Sequence, residues 1–428
     1  MAEINPKVVH LPTARIREAV ARFETPFFLY DEAKLRRNCR RFVRAFRRRF
    51  PAFAPLYAVK ANANPEIVRI IFSEGFGADA SSEAEAWLTG QLGGWGMYTG
   101  NYTTESEFRF VMQRDFLLNL DDISMLPTVA KIGVPEFLSF RINPGQGRGG
   151  VEGLVMAGPD AKYGVPRDRA VEAYAGAMAL GVKRFGIHAM TGSNVLEEAY
   201  FGQVARDLLE VAGQVKKELG IDFEWLNVGG GFGVPYRPEE KSLDLDAVVQ
   251  GVREAFDEQC ARFGLKEPRL MAEPGRLIAC DAGWLVGRVH VVKEGAAKKF
   301  VGIDAGMNDL PRPAIYGAYH HCTVLGKTAR AGAERVNVVG RLCENNDQFA
   351  IDRDLPPCKP GDVIVIHNAG AHAYAMGHNY NNRPRSAEYL IGEDGAIRQI
   401  RRAETIEDLF RTADVAAAAG AAKAAAAG

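Results

Sequence analysis

Lys60 ends an apolar run in the segment YAVKAN, residues 57–62. A polar turn, residues 61–65, follows directly, so the lysine lies where a strand gives way to a loop. A lysine in this position is most often a solvated strand end. Its amine could also act as a nucleophile toward a carbonyl compound, a reaction that lysine side chains perform in enzymes.

The segment LNVGGGFGVPY, residues 226–236, could bind an anion. Gly229, Gly230 and Gly231, the glycine loop, have no Cβ atoms to keep an anion away from backbone N–H groups, and phosphate is the natural ligand. The spacing is not the GxGxxG of dinucleotide-binding proteins. Glycine-rich turns also serve tight packing, so the segment alone leaves both interpretations open.

The segment AEPGR, residues 272–276, places Glu273 and Arg276 after another apolar run. A structural salt bridge is one interpretation of either side chain. Together with Lys60 and the glycine loop, however, Glu273 completes the set of groups that pyridoxal 5'-phosphate requires. A lysine binds this cofactor covalently, a loop binds its phosphate, and a carboxylate keeps its pyridine nitrogen protonated so that the ring accepts electrons. The combination predicts pyridoxal 5'-phosphate.

Eight apolar runs between residues 50 and 280 alternate with amphipathic segments. Such alternation predicts an α/β fold with a parallel sheet, and eight repeats in this length favour a closed (β/α)8 barrel over an open sheet. The carboxyl ends of barrel strands converge on one face, where active sites lie. A polar residue at every one of these ends therefore favours a site there. The runs end at Lys60, Asp79, Asn101, Asn119, Arg141, His188, Asn227 and Glu273.

The pattern changes after the barrel, where short apolar runs follow one another without long helices between them. The tripeptide EDG between two such runs is typical of a hairpin. We expect a pyridoxal-phosphate-binding barrel at 26–285 and a second, mostly antiparallel β-barrel domain at 286–412. Residues 1–25 are expected to join the second domain, and residues 413–428 are a low-complexity tail.

The composition excludes some classes of partner. The chain of 428 residues has 53 basic and 53 acidic residues, so no net charge favours nucleic acid or an anionic membrane. Its most basic segment, 36–50, has apolar residues at helical spacing and is expected to be a solvated helix face. No apolar run approaches the length of about 20 residues that spans a membrane. The six cysteines include no CxxC pair, which argues against a disulfide framework or metal site and favours the reducing cytoplasm.

Ten motifs follow one another along the chain: YAVKAN, DASSEAE, RINPG, AKYG, GS, NVGGGFGVPY, AEPGR, DAGMNDLPRPAIYGAYHH, LCENND and NYNNRPR. With them, the chain from about residue 25 to 405 resembles the fold-type III pyridoxal-phosphate-dependent decarboxylases. It is most similar to those that act on diaminopimelate. The resemblance implies an alanine-racemase-like barrel with a β domain and decarboxylation of meso-2,6-diaminopimelate to L-lysine and CO2. A decarboxylase of another carboxylated diamino acid or polyamine precursor, a racemase and a non-catalytic homologue remain alternatives.

The resemblance also implies how the cofactor is held. Lys60 would be the catalytic lysine that binds it, and Glu273 would contact its pyridine nitrogen. Ser193 and Arg276 fall at positions that bind phosphate and substrate. The implied cofactor-binding residues are Lys60, Asp79, His188, Met190, Ser193, Gly229, Gly230, Gly231, Glu273, Gly275, Arg276 and Tyr374.

The substrate side is implied in the same way. Arg312 and Tyr316 correspond to the family's grip on the far carboxylate, which a planar guanidinium suits because it forms two parallel charge-assisted bonds. Cys343 and Glu344 would reach in from the partner subunit of a homodimer with shared active sites. Cys343 would return a proton to the α-carbon, and Glu344 would bind the far amino group. A small buried residue is the alternative for Cys343. The implied substrate-binding residues are Arg276, Arg312, Tyr316, Glu344, His372 and Tyr374, with no metal.

Three places depart from the family pattern. Met190 stands where the family has a histidine stacked on the cofactor ring, and its thioether can cover a ring but cannot donate a hydrogen bond. His372 stands where the family has a tyrosine, with Tyr374 two residues on, where a strand would direct it to the same face. Asn345 and Asn346 replace a serine and a glycine, which affects recognition of the far stereocentre.

Overall fold

The structure, a computed structural model, describes residues 5–149, 156–328 and 332–427. They form two compact units. The first comprises the described residues up to His10, Asp31–Ala282 and Gly370–Ala375, and the second comprises Leu11–Tyr30, Gly283–Ala369 and the described residues from Met376 onward. The predicted domain boundaries stay a prediction, because a division by spatial contacts does not test which segments fold independently. Of the residues that this prediction covers, 1–4, 150–155, 329–331 and 428 lie outside the described residues.

The described residues of both units form the following strands and helices, which alternate through most of the first unit. In chain order the strands are β1 (Phe27–Asp31), β2 (Ala54–Ala58), β3 (Gly77–Ala80), β4 (Gly96–Tyr98), β5 (Phe116–Leu120), β6 (Phe137–Asn143), β7 (Arg148–Gly149), β8 (Val165–Pro166), β9 (Arg184–His188), β10 (Gly192–Ser193), β11 (Trp225–Asn227), β12 (Arg269–Ala272), β13 (Gly283–Glu294), β14 (Lys299–Ile303), β15 (Cys322–Val324), β16 (Glu334–Val339), β17 (Gln348–Leu355), β18 (Val363–Ile366), β19 (Ala387–Ile391) and β20 (Ile397–Arg401). The α-helices are α1 (Pro6–Val9), α2 (Thr13–Arg22), α3 (Glu32–Arg47), α4 (Pro65–Ser73), α5 (Glu83–Gln91), α6 (Glu105–Met112), α7 (Leu126–Ile132), α8 (Ala170–Ala179), α9 (Glu198–Leu219), α10 (Leu245–Phe263), α11 (Arg276–Ala279), α12 (Arg312–Tyr316), α13 (Ile406–Phe410) and α14 (Val415–Ala427).

The first unit is built on a closed parallel barrel. Its strands are hydrogen-bonded in the order β5-β4-β3-β2-β12-β11-β9-β6, and pairing of β5 with β6 closes the ring. The pairs between neighbouring barrel strands are parallel. The predicted (β/α)8 barrel is therefore confirmed, and each of the eight apolar runs contains one of its strands. Asp79, Asn119, Arg141, His188 and Asn227 lie within the last residues of their strands.

The arginine-rich segment 36–50 forms most of α3, as its periodicity predicts. The helix buries Leu35, Cys39, Phe42 and Phe46 along one face, because these positions recur at helical spacing. The apolar face packs inward, and the charged face is left to solvent and to ion pairs.

The second unit contains a mostly antiparallel sheet, as expected. Its strand order is β17-β16-β14-β13-β1-β19-β20, and β18 pairs with both β13 and β15. The pairing of β14 with β16 is parallel, whereas β13–β14, β13–β18, β15–β18, β16–β17 and β19–β20 are antiparallel. The core of the unit includes the buried side chains of Phe27, Trp284, Val365 and Tyr389. Among the residues described, none of the helices combines the length and apolar composition needed to span a bilayer.

Candidate active site

Lys60 lies in a short 3₁₀ turn, Val59–Ala61, directly after barrel strand β2. The side chain of Asn62, a residue that is 4% exposed, holds this turn in place through two hydrogen bonds. The side-chain amide of Asn62 donates to the carbonyl oxygen of Gly370 at 3.0 Å, and its Oδ1 accepts the N–H of Asn64 at 3.0 Å. Asn64 in turn caps α4. The polar turn after the apolar run therefore serves to hold the Lys60 backbone in one position.

Two other segments close on the same turn. The N–H of His372 donates to the carbonyl of Ala61 at 2.8 Å, with His372 at a φ of +53°, which few non-glycine residues adopt. Gly275 lies so close that a Cβ there would meet the Cβ of Ala61 at 2.8 Å. Tyr374 begins a 3₁₀ turn. The strand geometry that would direct His372 and Tyr374 to one face therefore does not apply.

Asp79 is the acidic group nearest to the Lys60 amine. Its Oδ2 lies 3.8 Å from Lys60 Nζ, and the carboxylate is 3% exposed while the lysine side chain is 41% exposed. Burial and, secondarily, the neighbouring Glu273 charge raise the pKa of Asp79 to about 8, although Lys60 opposes this shift. Near neutral pH, Asp79 therefore keeps a proton beside the lysine.

Glu273 is buried at the end of β12 and has the opposite electrostatic character. Its Oε1 accepts a hydrogen bond from Asn227 Nδ2 at 2.7 Å and lies 3.2 Å from His188 Nε2. The His188 Nδ1 is 3.0 Å from Asn119 Nδ2. Burial by itself raises the pKa of Glu273, but His188, Lys60 and Asn227 outweigh it and leave the pKa below its usual value. The carboxylate is therefore held charged, as a group that keeps a pyridine nitrogen protonated must be.

The glycine loop is tightly packed against the protein itself. Gly229 and Gly231 have φ values of +71° and +87°, which favour glycine. A Cβ on Gly230 would lie 2.7 Å from the carbonyl oxygen of Glu273, and one on Gly229 would lie 2.2 Å from that of Ala189. Packing is thus a reason for these glycines, and the N–H of Gly229 donates to Asn227 Oδ1 at 2.9 Å.

Met190, which replaces the family histidine, is held at both its backbone and its sulfur. Its carbonyl oxygen accepts from Arg141 Nη2 at 3.0 Å, and its Sδ lies 3.2 Å from the N–H of Gly230. The thioether therefore lies against the glycine loop. Arg141 is 4% exposed. It was expected only as a strand end, yet it holds this segment in place.

The surroundings of the Arg276 guanidinium show whether the site fits a phosphate. It is 8% exposed. Its Nη1 donates to Tyr236 Oη at 2.6 Å and its Nη2 donates to Ser193 Oγ at 3.3 Å. Within the described part of the chain no carboxylate lies within ion-pair distance of it, so a salt bridge to Glu273 is not formed. A buried guanidinium needs a counter-charge, which the phosphate of pyridoxal 5'-phosphate provides. The residues present fit this cofactor.

Some residues of the site were missed by sequence reasoning. Asn227, Asn119 and Arg141 were noticed as polar strand ends but given no role, although they orient Glu273, His188 and Met190. Their place at the carboxyl ends of the predicted barrel strands was the available signal. Tyr236 ends the motif NVGGGFGVPY, and nothing in the sequence distinguished its hydroxyl from that of an ordinary packed tyrosine.

The second unit contains the residues expected on the substrate side. Arg312 is the first residue of α12 and is 4% exposed, whereas Tyr316, at the end of the same helix, is half-buried. Arg312 is thus a buried cation, and the contacts that hold it are described below.

Cys343 and Glu344 lie on an exposed loop of the second unit. The N–H of Cys343 donates to Asn381 Oδ1 at 2.7 Å, and Glu344 Oε1 accepts the N–H of Asn346 at 3.2 Å. Cys343 is the exposed cysteine, while the other five are buried or half-buried. The alternative of a small core residue is therefore excluded for Cys343 and fits the others.

A lysine beside the buried carboxyl groups of Asp79 and Glu273, with an anion pocket formed by Arg276 and Ser193, on a parallel barrel followed by a β domain, defines a pyridoxal-phosphate enzyme. Residues 33–280 match the family model for the pyridoxal-binding domain of pyridoxal-dependent decarboxylases, and the chain belongs to this family. The protein is thus a pyridoxal-phosphate-dependent carboxy-lyase.

Within the family, the chain is similar to diaminopimelate decarboxylases. That of Methanothermobacter thermautotrophicus is 40% identical over 406 residues, 94% of each chain, and that of Thermoplasma acidophilum is 36% identical over 400 residues, 93% of this chain and 95% of the relative. The crystal structure of the Methanocaldococcus jannaschii diaminopimelate decarboxylase in complex with L-lysine is similar with a TM-score of 0.85 at 30% identity, covering 97% of this chain and 98% of the other.

Proposed function

We propose that this protein decarboxylates meso-2,6-diaminopimelate to L-lysine and CO2. The observation that supports it most is the 40% identity, over 94% of both chains, to a relative named diaminopimelate decarboxylase. Solved structures of two similar proteins contain L-lysine, the expected product. The reaction removes one carboxylate and leaves the other on lysine, so the site must hold the retained carboxylate at a distance from the reacting carbon.

The first unit supplies the residues that would bind the cofactor. Pyridoxal 5'-phosphate supplies a ring that accepts the electron pair released when the carboxylate leaves. Lys60 holds the cofactor covalently between turnovers, and the protonated Asp79 can exchange a proton with the lysine amine. Glu273 holds the proton on the pyridine nitrogen. Arg276 and Ser193 bind the phosphate beside the glycine loop, whose Gly229 and Gly230 N–H groups already donate to Asn227 Oδ1 and Met190 Sδ.

Other implied roles remain proposals. Met190 would contact the cofactor ring. His188, whose Nε2 lies 3.2 Å from Glu273 Oε1, would help to bind the cofactor next to Glu273. His372 and Tyr374, in the segment held against the Lys60 turn, would contact cofactor or substrate. Gly275 allows the close approach of that turn to AEPGR.

Four further residues would distinguish the substrate. Arg312 and Tyr316 bind the retained carboxylate, and Glu344 binds the amino group beside it. Cys343 delivers a proton to the carbon from which CO2 departs. We propose a homodimer in which Cys343 and Glu344 complete the partner's site, a role that their exposure on one loop supports. We also place the enzyme in the cytoplasm, on the pattern of its cysteines.

The experiment is CO2 release by the purified, cofactor-loaded protein from meso-2,6-diaminopimelate, L-lysine, L-ornithine and L-arginine. We expect meso-2,6-diaminopimelate to give the highest kcat/KM and L-lysine to be the product. The Lys60→Ala variant serves as the matched control, since it keeps the fold but not the covalent attachment. Faster release from a substrate with a single carboxylate would overturn the proposal.

A further inference from the structure

His320 contacts Arg312 inside the second unit. The Arg312 Nη1 lies 2.9 Å from His320 Nε2, and His320 Nδ1 lies 2.8 Å from the carbonyl oxygen of His367. His320 is 0% exposed, and Arg312 is 4% exposed. The two side chains and this carbonyl therefore form a buried chain of hydrogen bonds.

The chemistry of the two side chains fixes the direction of these bonds. A guanidinium only donates, so His320 Nε2 must accept with its lone pair. The proton of a neutral imidazole is then on Nδ1, from which it donates to the carbonyl of His367. Both bonds are satisfied by one tautomer. Protonating Nε2 would set a donor and a second positive charge against Arg312, so the arrangement requires a neutral ring.

The anchor of His320 is a rigid part of the sheet. His367 follows β18, which is antiparallel to β15, and its N–H donates to the carbonyl of His321 at 2.9 Å. The carbonyl of His320 itself accepts from Arg353 Nη1 at 3.2 Å. His320 is therefore held at its backbone carbonyl by Arg353 and at its ring Nδ1 by the His367 carbonyl. Its imidazole thus links Arg312 to the β-sheet.

We infer that His320 is a positioning residue that sets specificity for the retained carboxylate by orienting the Arg312 guanidinium. The inference rests on the proposed function. With Nη1 engaged by His320, the orientation of the planar guanidinium is constrained before a carboxylate binds to it. A flexible arginine would lose this advantage because it would have to be ordered by each substrate that binds.

Two conservative variants separate positioning from mere packing. His320→Asn keeps an amide N–H near the position of Nδ1 and so keeps the bond to the His367 carbonyl, but it removes the acceptor for Arg312. His320→Gln places an amide oxygen near the position of Nε2 and so keeps that acceptor. The variants are read with two inhibitors, L-lysine and cadaverine, which share the amine that meets the cofactor and differ in the far carboxylate.

We expect His320→Asn to raise the inhibition constant of L-lysine and the KM of meso-2,6-diaminopimelate by about 10- to 150-fold, the range of one charge-assisted hydrogen bond. The inhibition constant of cadaverine, the kcat and the absorbance of the bound cofactor should stay near their wild-type values. His320→Gln should recover most of the affinity for L-lysine that His320→Asn loses. Equal weakening of L-lysine and cadaverine, or a Gln variant no better than Asn, would overturn the inference. A wild-type enzyme that does not prefer L-lysine to cadaverine would instead overturn the proposed function.

Discussion

Replacing Arg276 with methionine tests the anion pocket most directly. The substitution keeps an unbranched side chain of comparable length and removes the charge, and with it the bonds to Tyr236 and Ser193. We expect it to weaken binding of pyridoxal 5'-phosphate while leaving the cofactor-free protein folded. The two effects have different physical origins, so they can be separated.

The magnitude follows from the surroundings of the guanidinium. Loss of one charge-assisted hydrogen bond to the phosphate costs about 1.5–3 kcal/mol, or roughly a 10- to 150-fold rise in Kd. In the cofactor-free protein Arg276 is 8% exposed. Methionine removes a desolvation cost of several kcal/mol that no carboxylate of the described residues offsets. This gain opposes the loss of the two hydrogen bonds, so the free energy of unfolding should change by no more than about 1 kcal/mol.

The assay is an equilibrium titration of cofactor-free protein with pyridoxal 5'-phosphate and, as a control, with pyridoxal, which lacks the phosphate. Only the phosphorylated ligand should bind more weakly to Arg276→Met. Denaturant unfolding without cofactor measures the second effect. The reasoning is refuted if both ligands weaken equally, or if the variant loses several kcal/mol of stability without cofactor, since Arg276 would then be a structural residue.

Three further predictions concern other parts of the site. Lys60→Ala should abolish the near-visible absorbance of the bound cofactor and lower turnover by several orders of magnitude, and near-normal turnover would refute its assignment. The folded-state pKa of Asp79 is raised from 3.8 to about 8. Its contribution to the stability of the cofactor-free protein is therefore present at low pH and lost as the pH rises through 8. Asp79→Asn should flatten this pH dependence of the free energy of unfolding, measured by denaturant unfolding. Mixed Lys60→Ala and Cys343→Ala subunits should regain about a quarter of wild-type activity after exchange, since about half the dimers are mixed and each has one intact site. A mixture no more active than the mean of its parents would show that each site is built within one chain.

The architecture could be predicted because it depends on patterns that the chain repeats. Each barrel strand is an apolar run short enough to be buried, and each is followed by an amphipathic helix, so eight repeats specify a closed ring. The polar residues at the strand ends could be predicted to share one face for the same reason. Lys60, Asp79 and Glu273 are neighbours in space because β2, β3 and β12 are adjacent in the barrel.

The partners of each side chain could not be predicted in this way. Glu273 and Arg276 are three residues apart in AEPGR, and a structural salt bridge was an open interpretation of either side chain. In the structure Glu273 contacts Asn227 and His188, whereas Arg276 contacts Tyr236 and Ser193. The pairing depends on the direction that each side chain takes after the turn at Pro274 and Gly275, which no periodicity specifies.

Because Glu273 and Arg276 do not pair, the cofactor-free protein keeps a buried positive charge that lowers its stability, and the cofactor can neutralise that charge. A carboxylate beside Arg276 would stabilise the cofactor-free fold, but it would repel the phosphate. The chain instead keeps Glu273 ionised with His188 and leaves the guanidinium to an external anion. Binding of pyridoxal 5'-phosphate then supplies the missing charge, and linkage requires that it stabilise the folded state, by about 2.7 kcal/mol when its concentration is about a hundred times Kd. In Arg276→Met this stabilisation must shrink by the same free energy by which cofactor binding weakens, as long as the cofactor concentration stays well above Kd for both proteins, because both quantities measure one interaction.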